Sequence, residues 1–592
     1  MGRILLVISF QSTYVQSKTI HITNILKEKI TMSETPEEDV NRQENAASLS
    51  RRNFLKGALV TTAAISGGGI LQSCAPKVAA TSSAVTPESA STPAAAATGA
   101  CETDPIGSPL TIDASEIKET VTADVVIVGA GCSGITAALT ACEAGLKTVV
   151  LQKGLAFMTH GWAFGAIGAK IQKDAGQDID LTEALDQFKT YSGNKIDMRM
   201  VKVWAENSGE TLDWIIEKTD KANLPASYPY TPHEKGSIGT GYSTAIFYTG
   251  GTTAALKILV DEATAKGVDF RYNTPGVQLV KNSDGRVTGV IAKNADNAYV
   301  QFDATKAVVL CTGDYGNNPE MVAKYSSWVK DIGNAYIPAY NTGDGHKMAV
   351  WAGAVLDSSP HAHMTHYDPS VLPEGDAGYS AIPWLWVNKD GIRFENEEII
   401  YQFIGNGDLQ QPGKFHWQIF DSKFADELPN MGAGLGRTVF TIPIDNPQAA
   451  IADGVKRKAI LQADSLEALA DLIGVPKESF LNTVSRYNEL VKQGEDVDFG
   501  KPKERLTSLE KPPYYAAKRV PGVLTILGGA KVNPKLQVLD KDNNVIPGLY
   551  TAGNVSGGFF ANDYPLTFGA VSTGRAATFG RVAVKNIVAD EA

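Results

Sequence analysis

The amino-acid sequence predicts an α/β protein built on a parallel sheet with helices on its faces, and three adjoining stretches carry that expectation. Ala123-Asp124-Val125-Val126-Ile127-Val128 is an almost unbroken apolar run, as expected of a central strand covered on both sides. It enters Gly129-Ala130-Gly131-Cys132-Ser133-Gly134, then a helical pattern from Ile135 to Ala144 that Gly145 stops. Lys147-Thr148-Val149-Val150-Leu151 supplies a second strand. Glycines at these intervals let the chain turn tightly and approach a pyrophosphate, which the following helix N-terminus stabilises. Set between strand and helix, with about 30 residues from the first strand to the end of the second, they mark a Rossmann-like dinucleotide-binding start. Gly129, Gly131, Ser133 and Gly134 are the expected phosphate contacts, with Gln152 and Lys153 at the end of the second strand. An acidic residue usually holds the ribose hydroxyls where Gln152 stands; a Gln amide can still donate and accept there.

Length and composition agree with a large globular protein. At 592 residues the chain has room for three or four units. Hydrophobic residues make up 43% and charged residues 20%, which excludes a disordered, collagen-like or polytopic membrane protein. The five cysteines include no C-x-x-C or C-x-x-C-H spacing, so no metal centre, iron–sulfur cluster or c-type haem is expected from this chain alone. Acidic residues outnumber basic ones, 65 to 54, and the first 74 residues hold 8 of the basic and 6 of the acidic. The remainder is therefore more acidic still, and no nucleic-acid partner is expected.

The first 74 residues read as an address. Ser50-Arg51-Arg52-Asn53-Phe54-Leu55-Lys56 precedes an uncharged stretch from Gly57 to Pro76, the pattern of a twin-arginine export signal. Gly57, Gly67, Gly68 and Gly69 make that stretch a poor buried helix, and it is short and weakly apolar for a membrane span. Leu71-Gln72-Ser73-Cys74 resembles a lipoprotein cleavage box, which would make Cys74 a lipid anchor to the cell membrane. Met32 is the expected true start, with residues 1–31 an upstream extension and 32–74 the signal. Val78 to Ala100 is almost wholly Ala, Ser, Thr, Val and Pro, so residues 75–120 are expected to form a flexible linker.

The far end of the chain specifies the nucleotide. Val545-Ile546-Pro547-Gly548-Leu549-Tyr550-Thr551-Ala552-Gly553-Asn554 is a strand with a glycine turn, followed by a helical run from Gly569 to Val588. Other motifs are Thr274-Pro275-Gly276-Val277, Leu310-Cys311-Thr312-Gly313-Asp314-Tyr315-Gly316, Asn341-Thr342-Gly343-Asp344-Gly345 and Leu527-Gly528-Gly529-Ala530. From about 121 to 592 the sequence resembles the flavoprotein superfamily of fumarate reductase, succinate dehydrogenase and 3-ketosteroid dehydrogenase. That resemblance implies FAD, held in a domain built from residues 121–355 and 516–592, with an inserted α+β cap at 356–515. It adds Val277, Thr312, Gly313, Asp344, Gly553, Asn554 and Gly569 to the expected cofactor contacts. In quinone-linked members a Ser-His pair after the second strand bonds the flavin covalently. Thr159-His160 stands at similar spacing, which places His160 beside the flavin, either bonded to it or in contact.

The resemblance also locates the chemistry. Fumarate reductases grip a dicarboxylate with Arg and His, the right donors for a carboxylate. Here Tyr401 stands four residues after Asn396-Glu397, where the proton-donating Arg is expected, and Tyr564 stands where the second Arg is expected. Leu524-Thr525 replace the His before Gly528-Gly529. Tyrosines in these places resemble those of 3-ketosteroid dehydrogenases, where one exchanges a proton with substrate carbon and a second, in a Tyr-Pro pair, hydrogen-bonds the carbonyl. Flavin N5 hydride chemistry suits the β-carbon of an activated C=C, and a protonated Tyr can supply the α-carbon. The expected enzyme is an exported reductase of a C=C conjugated to a carbonyl, fed by a separate electron-donating redox protein. A 3-ketosteroid-type dehydrogenase running oxidatively and a non-catalytic flavin electron carrier are the alternatives. Tyr379, Trp384, Trp386, Phe394, Phe403, Phe415 and Trp417 either line an apolar pocket or form core. His361, His363 and His366 read as pocket wall or surface rather than a metal site.

Overall fold

The strand that ends at Val128 is longer than its apolar residues alone suggest. The computed structural model describes residues 104–590 apart from 230–241, 336, 368–381 and 432–445; the signal segment, Cys74 and Tyr379 lie outside the described residues. Strand β1 covers Ile117–Val128, exposed or half-buried in its first half and buried from Val125 onward. The linker expected to reach 120 is already part of the body by residue 104. Ile106 is buried, Trp351 Nε1 donates to the Gly107 carbonyl (3.0 Å), and Lys324 pairs with Asp104 (2.9 Å).

In chain order the elements that position the site are β1, α1 (Cys132–Glu143), β2 (Thr148–Leu151), β3 (Asp269–Arg271), β4 (Gly276–Lys281), β5 (Val287–Lys293), β6 (Tyr299–Leu310) and α2 (Asp344–Trp351). They continue with β7 (Ala362–His366), β8 (Leu385–Val387), α3 (Tyr401–Leu409), β9 (His416–Asp421), β10 (Ile460–Ala463), β11 (Tyr514–Arg519) and β12 (Gly522–Leu527). The last are β13 (Gln537–Leu539), β14 (Val545–Thr551) and α4 (Val571–Asp590). Helix α1 begins at Cys132, three residues before its expected start, because Gly131 is already the extended cap residue. Helix α4 begins at Val571 rather than 569, after Ala570 takes a left-handed turn at φ +58°.

Eight strands form one sheet in the order β13-β14-β6-β1-β2-β3, with the β4–β5 hairpin joined to β6 through β5. Strands β14, β6, β1, β2 and β3 run parallel. In register, Val128 pairs with Leu310 and Leu310 with Thr551. Three strands from distant parts of the sequence therefore end at one level, and the turns after them, at Gly129, Gly313 and Gly553, share the carboxyl edge of the sheet. Ligands of open α/β sheets bind along that edge. This is the α/β fold on a parallel sheet that the sequence predicts.

A smaller antiparallel sheet, β8-β9-β11-β10, has its own apolar cluster with the helices Leu466–Ile473 and Lys477–Gln493. The antiparallel pair β7–β12 lies on the path into and out of this part of the chain. Among the described residues no helix is long and apolar enough to cross a membrane.

Candidate active site

The glycine turn after β1 is built to receive a ligand. Gly129 has φ +109°, and a Cβ there would stand 2.3 Å from the Cys311 carbonyl oxygen. A Cβ on Gly134 would stand 1.8 Å from the Gly129 carbonyl oxygen. These two glycines close the strand–turn–helix packing. Gly131 differs: its Cβ would meet only the Met158 carbonyl oxygen, at 3.5 Å, and no side chain caps the α1 N-terminus it opens. Space above an uncapped helix N-terminus is what a pyrophosphate needs. Gln152 supports the turn from below, its Oε1 accepting from the Ala130 N–H (3.2 Å) and its Nε2 donating to the Ala156 carbonyl (3.0 Å). Lys153 reaches across to Asp344 (2.8 Å) and Thr342 (2.7 Å) at the start of α2.

The other expected contacts line the same edge. Gly313 has φ +75° and faces the Asn341 side chain. Thr312 Oγ1 is buried without a hydrogen-bond partner, an orphaned polar atom of the kind a bound ligand satisfies. Gly553 has φ +81°, with Ser133 Oγ 2.7 Å from where its Cβ would stand, so the two chain ends meet there. Val277 sits at the start of β4, and the Gly569 carbonyl accepts from Thr244 Oγ1 (2.8 Å). These residues fit a dinucleotide laid along the carboxyl edge.

Beyond the Gly553 end lies a buried polar cluster. Asn554 Nδ2 donates to Thr525 Oγ1 (2.8 Å), and Thr525 Oγ1 donates to Asp314 Oδ2 (2.8 Å). Burial raises the Asp314 pKa despite an N–H from Gly316. Burial lowers that of His160, against the pull of Asp314, and pushes His366 down to about 3, with His160 adding to the effect. The His366 ring stands edge-on to Tyr401, centroids 5.3 Å apart. His366 therefore packs half-buried against the proton-donor candidate and is neutral at physiological pH. His361 and His363 are buried, which corrects a surface role for them. His361 is held by Tyr315 (2.7 Å) and the Asp357 carbonyl (3.0 Å), packed against the neighbouring strands.

Both tyrosines are 2% exposed. Tyr401 is the first residue of α3, and its hydroxyl oxygen accepts from the Tyr367 N–H (3.1 Å). Tyr564 donates its own N–H to the His363 carbonyl (3.2 Å), and its hydroxyl oxygen accepts from the Ser572 N–H (3.2 Å) in the first turn of α4. Burial pushes the Tyr564 pKa up to about 12, so it stays protonated at neutral pH. Arg575, which the sequence reading missed inside a helical run, is buried beneath it. Its guanidinium donates to Asn554 Oδ1 (3.0 Å) and the Ser556 carbonyl (3.3 Å), packs 4.7 Å from Phe560, and has no partner at Nε. Phe560 in turn stacks on Tyr564.

Of the aromatic residues with open assignments, Trp384 stacks on Phe420 in the core of the smaller sheet, and Trp386 stacks on His416 within the main core that also holds Tyr401. Phe403 stacks on Tyr191 beside the Tyr401 helix. Glu395, also missed, leans on α3: a Cβ on Gly407 would stand 2.4 Å from its Oε2. Its Oε1 is buried without a partner, and burial, with Asp408 and Glu397 nearby, pushes its pKa up to about 9. The unfolded value is near 4.5, so between the two the native state holds the extra proton and stability falls as pH rises. Glu395→Gln should therefore raise stability at pH 8 by roughly 1–3 kcal/mol and flatten its slope between about pH 5 and 9. Urea midpoints across that range check this; an unchanged slope refutes it.

Fold and site together define an FAD-dependent oxidoreductase. Residues 124–566 match the FAD binding domain family, and the chain belongs to it. Residues 48–68 match the twin-arginine translocation pathway signal sequence, which supports export. The vinyl phenol reductase of Lactiplantibacillus plantarum is 28% identical over 477 residues, 77% of this chain and 94% of that protein. The open conformation of a flavocytochrome c3 fumarate reductase superposes with a TM-score of 0.61 at 27% identity, covering 80% of this chain and 79% of that one. The 3-ketosteroid-Δ4-(5α)-dehydrogenase of Rhodococcus jostii RHA1 shares the fold, with a TM-score of 0.62 at 22% identity over 80% of this chain and 99% of that one.

Proposed function

We propose that this chain is an exported reductase of a neutral substrate whose C=C bond is conjugated to a carbonyl, with residues 356–515 acting as the cap. The observation that carries the reading is the pair of buried tyrosines, Tyr401 beside neutral His366 and Tyr564 with its hydroxyl against the first turn of α4. The three glycine turns and Lys153 would hold FAD, which, once reduced by the electron donor, would supply the hydride for the substrate β-carbon. Tyr564 receives a backbone N–H on its oxygen and so directs its own proton to the substrate carbonyl, where negative charge grows. Tyr401 delivers a proton to the α-carbon. With His160 and His366 neutral, no imidazolium is available to pair with a carboxylate. That favours an uncharged acceptor such as an enone or ester over a dicarboxylate, and a relative is named for vinyl phenol, which carries no carboxylate.

A separate redox protein delivers the electrons outside the cytoplasm, and Cys74 holds the enzyme to the membrane surface. Replacing Arg51 and Arg52 by Lys should leave the protein in the cytoplasm, since the paired guanidiniums are the signal; normal export would refute that. Cys74→Ala should release an exported, soluble protein.

Anaerobic reoxidation of the dithionite-reduced holoenzyme by cyclohex-2-enone, benzylideneacetone, methyl cinnamate, 4-androstene-3,17-dione and fumarate tests the reaction. Fast reoxidation by one of the neutral carbonyl compounds and slow reoxidation by fumarate is the expected result; fumarate as the fastest acceptor defeats it. The same preparation should carry about one FAD per chain. Flavin fluorescence on a denaturing gel then decides the bond to His160: fluorescence that His160→Ala removes marks a bond, and its absence in the wild type rules the bond out.

A further inference from the structure

The two tyrosines come from distant parts of the chain, yet the residues beside them are joined. Gln402 follows Tyr401, and Asp563 precedes Tyr564. Gln402 Nε2 donates to Asp563 Oδ1 (3.1 Å) and to the His363 carbonyl (3.2 Å), while its Oε1 accepts from the Thr365 N–H (3.2 Å). Asn406, one turn further along α3, donates through Nδ2 to both Asp563 oxygens, at 3.0 and 2.9 Å. The His363 carbonyl that Gln402 touches is the one that accepts the Tyr564 N–H. Asn406 Oδ1 accepts from Trp328 Nε1 (3.1 Å) and faces His363 Nε2 at 3.4 Å. Gln402 is fully buried and the Asp563 side chain only 15% exposed.

We propose that Gln402, Asn406 and Asp563 are positioning residues that set the separation and aim of the Tyr401 and Tyr564 hydroxyls. The proposal rests on the tyrosine-pair reading above. Apart from the Trp328 bond, every bond in the cluster ties together α3, β7 and the segment before Tyr564, so a shift in any of the three residues is felt beside a tyrosine. A carboxylate taking amide donors from one helix makes bonds stronger than neutral ones. A protonation step at carbon and a hydrogen bond at oxygen, a few bonds apart on one substrate, tolerate little error: a displacement of about 1 Å can cost on the order of 10²-fold in rate.

Reversing the donor and acceptor tests this. Asn406→Asp sets two carboxylates face to face and should lower kcat by about 10- to 100-fold with KM changed less than about three-fold. Asn406→Asp combined with Asp563→Asn exchanges the partners' roles, keeps an acceptor for Gln402 and for Trp328, and should bring kcat back to within about three-fold of wild type. The assay uses the neutral member of the acceptor panel that wild type reduces fastest, on holoenzyme of matched FAD content and melting temperature. In a Tyr401→Phe background, Asn406→Asp should cost clearly less than it does in the wild type, because one of the two hydroxyls it positions is already gone. Should Asn406→Asp not fold, Asn406→Ala removes the donor without the added charge, and its loss of kcat is compared between the wild-type and Tyr401→Phe backgrounds. A double variant no faster than Asn406→Asp, or an equal loss in the Tyr401→Phe background, overturns the proposal. Wild-type rates in Tyr401→Phe and Tyr564→Phe would instead defeat the tyrosine-pair reading on which it rests.

Discussion

Tyr401→Phe is expected to lower turnover about 10²–10⁴-fold, the usual worth of a positioned general acid, with little change in KM. The ring stays, so packing against His366 and Tyr367 is kept. What leaves is one hydroxyl, and with it the acceptor of the Tyr367 N–H. That orphaned donor costs roughly 1–3 kcal/mol of stability, too little to unfold a protein of this size. FAD content should be unchanged. The proton needed at the α-carbon must then come from water, which a buried site admits slowly. Stopped-flow reoxidation of the reduced enzyme by its fastest acceptor reads the step directly. A rate within three-fold of wild type would remove Tyr401 from the chemistry and leave His366, 5.3 Å away ring to ring, as the next group to test.

Tyr564→Phe is expected to cost about 10²-fold in turnover, in the range measured for losing one donor to a developing oxyanion. Unlike Tyr401, it should also raise KM, because a hydrogen bond to the carbonyl exists before the reaction begins. The Ser572 N–H also loses its acceptor at the first turn of α4. That turn leads to Arg575, whose guanidinium holds Asn554 Oδ1, so the change should be felt on the Gly553 side of the site as well. A variant that loses turnover with KM unchanged would place Tyr564 at the proton step and reverse the two roles. Steady-state measurements on both variants with one acceptor make the comparison.

Several features were legible because they depend on residues close in sequence. The β1–glycine–α1 unit, the β2 strand and the twin-arginine pair each occupy a short window, and steric demands on Gly129 and Gly134 leave a local trace. The ends of elements were less legible. Helix α1 starts at Cys132 because Gly131 is free to take the cap conformation, and residues 104–116 join the body through Trp351 and Lys324, more than 200 residues away. Nothing within a local window marks those partners.

The charged groups around the site show the same division more sharply. Asp314 lies in a motif the sequence made visible, but its place beside His160 and Thr525 depends on β7 pairing with β12. Arg575 reads as one more residue of a helical run, and only the packing of α4 against Phe560 and Asn554 makes it a buried cation. By itself the sequence determined the α/β class and the nucleotide edge, which follow from periodicity and glycine geometry, and it pointed to the FAD family and the export signal through the resemblance of short motifs to known ones. The tertiary structure alone decided that His160 and His366 are held neutral, that the Glu395 carboxyl holds a proton, and that Gln402 and Asn406 meet Asp563. Those are properties of desolvation and of contacts about 160 residues apart along the chain, and both exist only once the chain has packed.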